Sequence, residues 1–337
     1  MKSWQLQKFG IENLHWVDGP EPEPEPGQLL VRTSAVSLNF RDQAIITGQY
    51  HDPVSLPLIP GSDLAGEVIA VGANVTSFKA GDRVVSMFKP LWLKGTPGAD
   101  AQAGMLGSPL PGVLAEYVVF SQDAVLKYPD YLTPAQASTL PVAALTAWVA
   151  LFENKPLQRE ETVLVQGSGG VSLFGLQLAT AFGARVIATS RGDRKASLLK
   201  GLGASDVIDT TKYPSWETEV MALTNGKGID HILEVVGGES LQHAIHAAAI
   251  GGQIAIIGMI ESNAATISMS SILSKLVRLE GIAVGSREHM QNLLSFLGDH
   301  PIQPVIDEIY KFTDLPLALE HLIRGATGKV VLEIGSV

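Results

Sequence analysis

The sequence contains no cysteine among its 337 residues. Disulfide bonds, thiolate nucleophiles and cysteine-ligated zinc sites are therefore excluded. The N-terminal residues lack the apolar core of a signal peptide, and no apolar run looks long enough to span a bilayer. Positive charge is scarce, since 24 Lys and Arg face 34 Asp and Glu, and the net charge of −10 disfavours nucleic-acid binding. We expect a cytoplasmic protein that binds neither membranes nor nucleic acids.

The length of 337 residues is typical of about two domains. Before residue 125, short β-type runs lie between turn signals, which indicates a β-rich domain. From Thr133 onward, strand and helix patterns alternate, which predicts an α/β domain with a doubly wound parallel sheet. The tail looks β-rich again. We therefore expect one domain to comprise residues 1–127 and 268–337 and the other to comprise residues 128–267.

A glycine-rich turn connects a predicted strand to a predicted helix. Thr162 to Gln166 form a buried β-type run, and apolar residues then recur at helical spacing until Gly183. The turn between them comprises Gly167, Ser168, Gly169 and Gly170. Glycines let a pyrophosphate approach the backbone, and the helix N-terminus supplies N–H groups to bind it. Because Ser172 replaces the third glycine of G-x-G-x-x-G, the predicted dinucleotide site depends on the strand and helix around the turn.

The end of the next strand predicts which dinucleotide is bound. An Asp or Glu there would bind the ribose 2′-OH of NAD, but the residues are Thr189, Ser190 and Arg191. Arg191, Arg194 and Lys195 form a basic cluster that suits a 2′-phosphate. The sequence therefore favours NADP. The alternative is that these cations only begin the next helix in solvent.

Six segments found together carry a family resemblance. They are residues 37–42, 60–66, 71–72, 81–84 and 140–148 and the glycine turn. In combination they resemble the medium-chain dehydrogenase/reductase superfamily, on its zinc-free, quinone-oxidoreductase-like side, which includes zinc-type alcohol dehydrogenase-like members. The resemblance covers essentially the whole chain. It implies a GroES-like catalytic domain, a Rossmann cofactor domain and a cleft between them, and a homodimer joined through an edge strand near Ala264–Ser268.

The zinc ligands of related enzymes are missing. Where zinc-dependent relatives have Cys, His-Glu and Cys, this chain has Asn39, Ser62-Asp63 and Val142, of which only Asp63 could bind a metal. A Gly/Pro-rich loop at residues 95–112 replaces the structural zinc lobe. His243 and His246 lie three apart on a predicted helix, but no third ligand is evident and we expect a solvated face. The sequence therefore predicts no metal.

The resemblance also assigns site residues. Asn39, Asp42 and Tyr50 match pocket positions, with Asn39 as an amide donor to a carbonyl and Tyr50 as a hydroxyl donor. A second pocket tyrosine of relatives is Ala44 here. Alternatively, Asn39 and Asp42 only cap and brace a helix start. The implied cofactor contacts, besides the glycine turn and the basic cluster, are Thr146, Val171, Val235, Gly258, Met259, Ile260, Val284, Gly285, Ser286 and Lys329. For Lys329, an ion pair with Asp42 or simple exposure is the alternative.

These features predict an NADPH-dependent, metal-free oxidoreductase that transfers hydride to a small conjugated carbonyl compound, an enone or a quinone. One alternative is a metal-free NADP-dependent alcohol or aldehyde oxidoreductase. Another, of a different class, is a protein that binds NADPH without turnover, as the resemblance to zeta-crystallins implies.

Overall fold

A computed structural model describes residues 1–192 and 195–335. The chain divides into two compact units. The first comprises Met1–Leu145 and Val284–Val337, and the second comprises Thr146–Ala283. The predicted boundaries at residues 127 and 267 thus lie before the observed ones.

The first unit is built mainly on antiparallel strands. A seven-stranded sheet has the order β14-β15-β3-β4-β5-β7, with β6 also paired to β3, and β1 and β2 form a separate hairpin. The strands are β1 (Lys2–Leu6), β2 (Leu14–Asp18), β3 (Gln28–Ser37), β4 (Asp63–Val71), β5 (Arg83–Ser86), β6 (Tyr117–Ser121), β7 (Val125–Lys127), β14 (Ile306–Lys311) and β15 (Lys329–Glu333).

Helices of the first unit come from both ends of the chain. They are α1 (Phe40–Ile46), α2 (Ala99–Ala103), α3 (Pro134–Ala137), a π-helical turn (Leu140–Ala144), α10 (Arg287–Asp299) and α11 (Leu315–Gly325). A capping box begins α3, since Thr133 Oγ1 accepts from the Gln136 backbone N–H at 3.2 Å and Gln136 Oε1 accepts from the Thr133 backbone N–H at 3.0 Å. In the core, Val330 and Leu332 of the C-terminal segment join the same cluster as Val31. The tail therefore returns to the first unit.

The second unit is a doubly wound parallel sheet. Its six strands are β8 (Thr162–Gln166), β9 (Arg185–Ser190), β10 (Asp206–Asp209), β11 (Ile229–Glu234), β12 (Ala248–Ile256) and β13 (Arg278–Gly281). All are paired in parallel, in the order β10-β9-β8-β11-β12-β13. The helices are α4 (Leu145–Phe152), α5 (Gly170–Phe182), α6 (Ala196–Gly201), α7 (Trp216–Leu223), α8 (Ser240–Ala247) and α9 (Met269–Lys275). The strand order reverses between β8 and β11, which is where such sheets bind dinucleotides.

The prediction of an edge strand near Ala264–Ser268 is wrong. Residues 264–268 are irregular, and Ser268 caps α9 by accepting from the Ser271 backbone N–H. The sheet instead ends with β13, in which Leu279 pairs with Ile254 of β12. Because this pairing places Arg278–Gly281 in the parallel sheet, the predicted boundary at residue 267 is too early.

The expectation that no segment has the length and apolarity of a membrane span is also wrong. The segment Pro134–Phe152, which comprises α3, the π-helical turn and α4, is 19 residues long and has a mean hydropathy of 1.4. However, 83% of this segment is buried inside the protein. Core helices meet the same criteria, so the segment is weak evidence for a membrane span.

Tight packing of α5 on the sheet compensates for the missing third glycine. Ser172 is buried and its Oγ donates to the Gln166 carbonyl oxygen at 2.6 Å. One turn later, a Cβ at Gly175 would lie 2.5 Å from Leu233 Cδ2 and 3.3 Å from Val165 Cγ1. Gly175 therefore provides the close approach of helix to strands that the third glycine supplies in the strict motif.

We predict that Gly175→Ala lowers the free energy of unfolding by about 1–2 kcal/mol, because overpacking a core costs about 1–3 kcal/mol and exceeds the gain in helix propensity. Gly201→Ala is the matched control, since an added Cβ on α6 meets nothing within 4 Å. This control should be neutral or stabilising by up to about 1 kcal/mol. Urea unfolding of both variants measures the difference, and equal stabilities would contradict the packing argument.

Candidate functional site

The glycine turn leaves open space over the start of α5. Gly167 has a φ of 72°, and Gly169 is the N-cap residue of the helix. A Cβ at either position would meet no atom within 4 Å. Gly170 and Val171 are the first helical residues, whose N–H groups have no intrahelical partner. These residues thus fit a pyrophosphate at the helix N-terminus.

A buried carboxylate organises the loop beside this turn. Glu234 ends β11, and its Oε1 accepts from the backbone N–H groups of Val236 (2.9 Å) and Gly237 (3.0 Å). Its Oε2 accepts from Gln166 Nε2 (2.8 Å) and Ser240 Oγ (3.1 Å). Burial raises the pKa of Glu234 despite these four donors. Glu234 was not among the predicted site residues, although an acid that ends an apolar strand and precedes Val-Val-Gly-Gly was a usable signal.

The loops after β11 and β12 are in direct contact. A Cβ at Gly258 would lie 2.2 Å from the Val235 carbonyl oxygen, so only glycine permits this approach. Met259 and Ile260 follow and are both more than half exposed. The structure therefore brings Val235 and residues 258–260 together at the sheet edge where β8 ends in the glycine turn. Thr146 is buried near the start of α4.

A second acid that the sequence analysis missed lies beside the predicted 2′-phosphate site. Thr189 and Ser190 are buried at the end of β9, whereas Arg191 is exposed. Asp209, the last residue of β10, accepts from Gly192 N (2.8 Å) and Thr211 Oγ1 (2.7 Å). The Thr211 hydroxyl and the Gly192 N–H lower the pKa of Asp209 to about 2. Its Oδ1 is thereby occupied within the protein.

Lys195 immediately precedes α6, and Arg194, the remaining member of the predicted basic cluster, lies outside the described residues.

In the first unit, Asn39 and Asp42 begin α1. Asn39 is the N-cap residue, and its backbone N–H donates to Asp42 Oδ2 at 2.7 Å. Asp42 is fully buried, and burial raises its pKa to about 6 although the charge of Arg41 opposes this. Asp42 thus braces the helix start, as the structural alternative predicted, and it is sealed from solvent.

Lys329 lies at the centre of a buried polar cluster. Its Nζ donates to Asn39 Oδ1 (2.5 Å) and lies 4.0 Å from Asp63 Oδ2. Asn39 Nδ2 donates to Ser62 Oγ (3.4 Å), and Ser62 Oγ donates to Asp63 Oδ1 (2.7 Å). The Val142 backbone N–H also donates to Asp63 Oδ2, at 3.2 Å. We call these five residues the Lys329 cluster.

The alternatives for Lys329 need correction. The side chain is 4% exposed rather than solvated, and its ion-pair partner is Asp63 rather than Asp42. Burial lowers the pKa of Lys329, while Asp63 and Asp42 oppose the change. Burial likewise raises the pKa of Asp63.

The Lys329 cluster brings together the positions that match the zinc ligands of relatives. Asn39, Ser62, Asp63 and Val142 are joined by hydrogen bonds, and a lysine ammonium lies among them. A cationic group that only donates is a poor neighbour for Zn²⁺, and an amide, a hydroxyl and one carboxylate are a poor ligand set. These residues do not fit zinc.

Elsewhere in the described ranges no group of three His, Asp or Glu residues could hold a metal. His243 Nδ1 lies 2.7 Å from Glu217 Oε2 and its side chain is 30% exposed, whereas His246 is exposed as expected.

Tyr50 lies beside Arg41 and His51. The Arg41 guanidinium carbon is 5.1 Å from the Tyr50 ring centroid, and the His51 ring is 4.4 Å away. Ala44, which replaces the second pocket tyrosine of relatives, is buried in α1. The structure therefore places Asn39, Asp42 and Tyr50 on one helix start and the segment that follows it.

Backbone strain marks the predicted contact segment 284–286. Val284 has a φ of 67°, a left-handed conformation that is rare for a β-branched residue. Gly285 follows, and Ser286 caps α10 by accepting from the His289 backbone N–H at 3.2 Å.

A separate apolar groove of about 410 Å³ lies in the first unit, and none of the predicted site residues lines it. Its walls come from the segments 90–93, 106–112 and 118–124.

Two family models match the chain. An alcohol dehydrogenase GroES-like domain matches residues 25–130, and a domain described as zinc-binding dehydrogenase matches residues 170–299. A zinc-type alcohol dehydrogenase-like protein of Schizosaccharomyces pombe is 39% identical and covers 92% of this chain and 91% of its own. A chloroplastic quinone oxidoreductase of Triphysaria versicolor is 30% identical and covers 96% and 95%.

Solved structures agree over nearly the full length. An alcohol dehydrogenase candidate from Sinorhizobium meliloti 1021 has a TM-score of 0.94 at 41% identity, covering 99% of this chain and 98% of its own. A structure described as an NAD-dependent alcohol dehydrogenase has a TM-score of 0.90 at 31% identity, covering 99% and 100%. A mycobacterial protein complexed with NADPH has a TM-score of 0.82 at 28% identity, covering 99% of both chains. The parallel sheet, the GroES-like unit and these matches show that the chain belongs to the medium-chain dehydrogenase/reductase superfamily of oxidoreductases.

Proposed function

We propose that this protein is a metal-free, NADPH-dependent reductase of small conjugated carbonyl compounds, an enone or a quinone. The observation that carries the proposal is the ammonium of Lys329 among the positions that match zinc ligands. A fixed positive charge and amide donors there can stabilise the negative charge that develops on a carbonyl oxygen.

Lys329 determines which way the Asn39 amide points. An ammonium only donates hydrogen bonds, so its partner on Asn39 must be the oxygen Oδ1. The Nδ2 group is therefore the donor that remains for other acceptors, and Ser62 Oγ takes one of its hydrogens at the long distance of 3.4 Å. Asn39 is the catalytic donor in this proposal, and Lys329 is the positioning residue behind it.

The reaction balances as a two-electron reduction. NADPH bound at the glycine turn would supply a hydride to the β-carbon of the substrate, with NADP⁺ as the product. The electrons of the C=C bond then move toward the carbonyl oxygen, where Asn39 stabilises the enolate. A proton from water or the Tyr50 hydroxyl completes the reaction at the α-carbon. The glycine turn and the start of α5 would hold the pyrophosphate of the cofactor.

We predict that the protein oxidises NADPH with a conjugated enone and retains this activity with a chelator, and that metal analysis finds less than one zinc per chain. Asn39→Ala should lower kcat on the order of 10²-fold, as loss of an oxyanion donor does elsewhere. Alcohol oxidation with NADP⁺ in place of enone reduction would support the alcohol/aldehyde alternative. NADPH binding without turnover would support the non-catalytic one, and one zinc per chain with activity lost on chelation would refute the metal-free mechanism.

The preference for NADPH over NADH depends on Arg191. This residue is exposed beyond the buried Thr189 and Ser190, where a 2′-phosphate would lie. Asp209 is the competing consideration, because a carboxylate near the ribose favours NAD. Since its Oδ1 already accepts from Gly192 and Thr211, we assign it to the loop rather than to the ribose.

We predict that Arg191→Glu weakens NADPH binding about 10- to 100-fold, since a charge-assisted hydrogen bond contributes about 1.5–3 kcal/mol. NADH binding should change little. Lys200→Glu is the control, because Lys200 is exposed in α6 and carries the same charge. Titration calorimetry with both cofactors measures the ratio, and equal losses for NADPH and NADH would remove the assignment to NADP.

We also propose a homodimer, joined at the exposed edge of β13. Leu273 of α9 and Leu276, two residues before this strand, are 71% and 67% exposed. Unpaired strand edges and exposed apolar side chains favour association of identical chains.

For this interface, Leu273→Glu with Leu276→Glu should convert the dimer to a monomer, because buried unpaired carboxylates oppose the contact. Leu317→Glu, at an exposed leucine of α11, should leave the dimer intact. Sedimentation velocity measures the oligomeric state of the wild type and of each variant. A wild-type monomer at micromolar concentration, or a doubly substituted variant that stays dimeric, would refute this interface.

A further inference from the structure

A buried lysine in the first unit has no acidic partner. Lys89 follows β5 and is 1% exposed. Its Nζ donates to Gln102 Oε1 at 2.8 Å and lies 5.5 Å from the Trp92 ring centroid. No carboxylate in residues 1–192 and 195–335 forms an ion pair with it. Since a buried ammonium without a counter-charge is costly, this placement requires an explanation.

A second cation lies close to Lys89. Arg41 donates through its terminal nitrogens to the carbonyl oxygens of Leu106 (2.8 Å) and Ser108 (3.2 Å). Its Nε is buried and has no hydrogen-bond partner among the described residues. The guanidinium carbon of Arg41 lies 4.8 Å from the ring centroid of Phe88, the residue before Lys89, so the two cations are neighbours. Burial, together with the positive charge of Arg41, lowers the pKa of Lys89 to about 8.

Together the two cations leave hydrogen-bond donors unused. The ammonium of Lys89 has three N–H groups, of which Gln102 takes one. Arg41 contributes its unpaired Nε–H. Buried N–H groups without acceptors are rare in native proteins, and here they coincide with uncompensated positive charge. Donors and charge both suit a bound anion.

Arg41 connects this cationic pair to the proposed reaction site. It lies in α1, two residues after Asn39, and its guanidinium carbon is 5.1 Å from the Tyr50 ring centroid. On another side it lies 4.8 Å from the ring centroid of Phe88, the residue before Lys89. An anion at the cationic pair would thus lie close to Tyr50, the proposed proton donor.

We propose that Lys89 and Arg41 bind a carboxylate carried by the substrate, so that the compound reduced is an unsaturated keto acid rather than a neutral enone or quinone. A carboxylate accepts from several N–H donors and carries a single charge, and the rings of Phe88, Trp92 and Tyr50 suit its carbon skeleton. This assignment rests on the proposed function for the reaction, but the binding of the anion does not require turnover.

The first experiment measures the binding of a carboxylate in the absence of turnover. Levulinate is a saturated keto acid that cannot be reduced by this route, and methyl levulinate is its neutral match. Tryptophan fluorescence reports the titration, because Trp92 lies beside Lys89. We expect the acid to bind about tenfold or more tightly than the ester, as expected for charge-assisted hydrogen bonds. Lys89→Met should abolish this difference, whereas Lys94→Met, at an exposed lysine of the same segment, should preserve it.

Turnover is tested with acetylacrylate and its methyl ester. The ratio of kcat/KM for acid over ester should fall about tenfold or more in Lys89→Met and stay at the wild-type value in Lys94→Met. If Lys89→Met does not fold, Lys89→Gln and Arg41→Lys provide the same comparison, since each changes the donors at one cation.

The outcomes separate this inference from the proposed function. Preferential binding of levulinate through Lys89 with no reduction of either acetylacrylate compound would keep the anion site and refute the reductase. Reduction of acid and ester with a ratio that Lys89 and Arg41 variants do not change would keep the reductase and refute the anion site. Equal binding of levulinate and its ester by the wild type would likewise refute it.

Discussion

The buried ammonium of Lys329 is the constraint on which the first unit depends. It comes from β15, near the C-terminus, and is neutralised by Asp63 at the start of β4 while Asn39 at the start of α1 accepts its hydrogen bond. Breaking a buried pair by removing one partner costs about 3–5 kcal/mol, because the remaining charge has no water to solvate it. The same contacts orient the Asn39 amide. The stability of the first unit and the proposed chemistry therefore depend on the same contacts of Lys329.

In the second unit, a buried carboxylate rather than a buried ammonium connects separate segments of the chain. Glu234 has four donors around its carboxylate, three of them from the loop after β11 and the start of α8 and one from Gln166 before the glycine turn. This connects the carboxyl ends of β8 and β11, the two strands between which the strand order reverses. The hydrogen bonds of Glu234 therefore fix the loop after β11 next to the glycine turn.

Local patterns in the sequence predicted much of this structure. The β-type run, the glycines and the helical spacing between Thr162 and Gly183 were sufficient for β8, the turn and α5, because strand, turn and helix are adjacent in the chain. The edge of the sheet was not predictable in this way. Arg278–Gly281 is four residues long and partly polar, so only its pairing with β12 identifies it as a strand.

The contacts of the buried polar residues could not be predicted from local sequence patterns either. Asn39 and Asp63 could be assigned from resemblance. Lys329 was assigned as a cofactor contact, with exposure or an ion pair with Asp42 as the alternatives, and its pairing with Asp63 was not predicted, because the sequence does not show which of two distant acids a lysine will meet. Asp209 and Glu234 were missed for a related reason. Their hydrogen bonds go mainly to loop backbone and hydroxyl groups, and a sequence pattern does not show which loops will meet.

The second unit interrupts the first in the chain, since Thr146–Ala283 lies between its two parts. During synthesis from the N-terminus, the parallel sheet is complete once β13 has been made, and it has its own core to fold around. The first unit cannot complete its sheet at this stage. Until Lys329 leaves the ribosome, β3 lacks its neighbour β15 and Asp63 lacks its counter-charge. The part of the protein that is made first is therefore the part that finishes folding last.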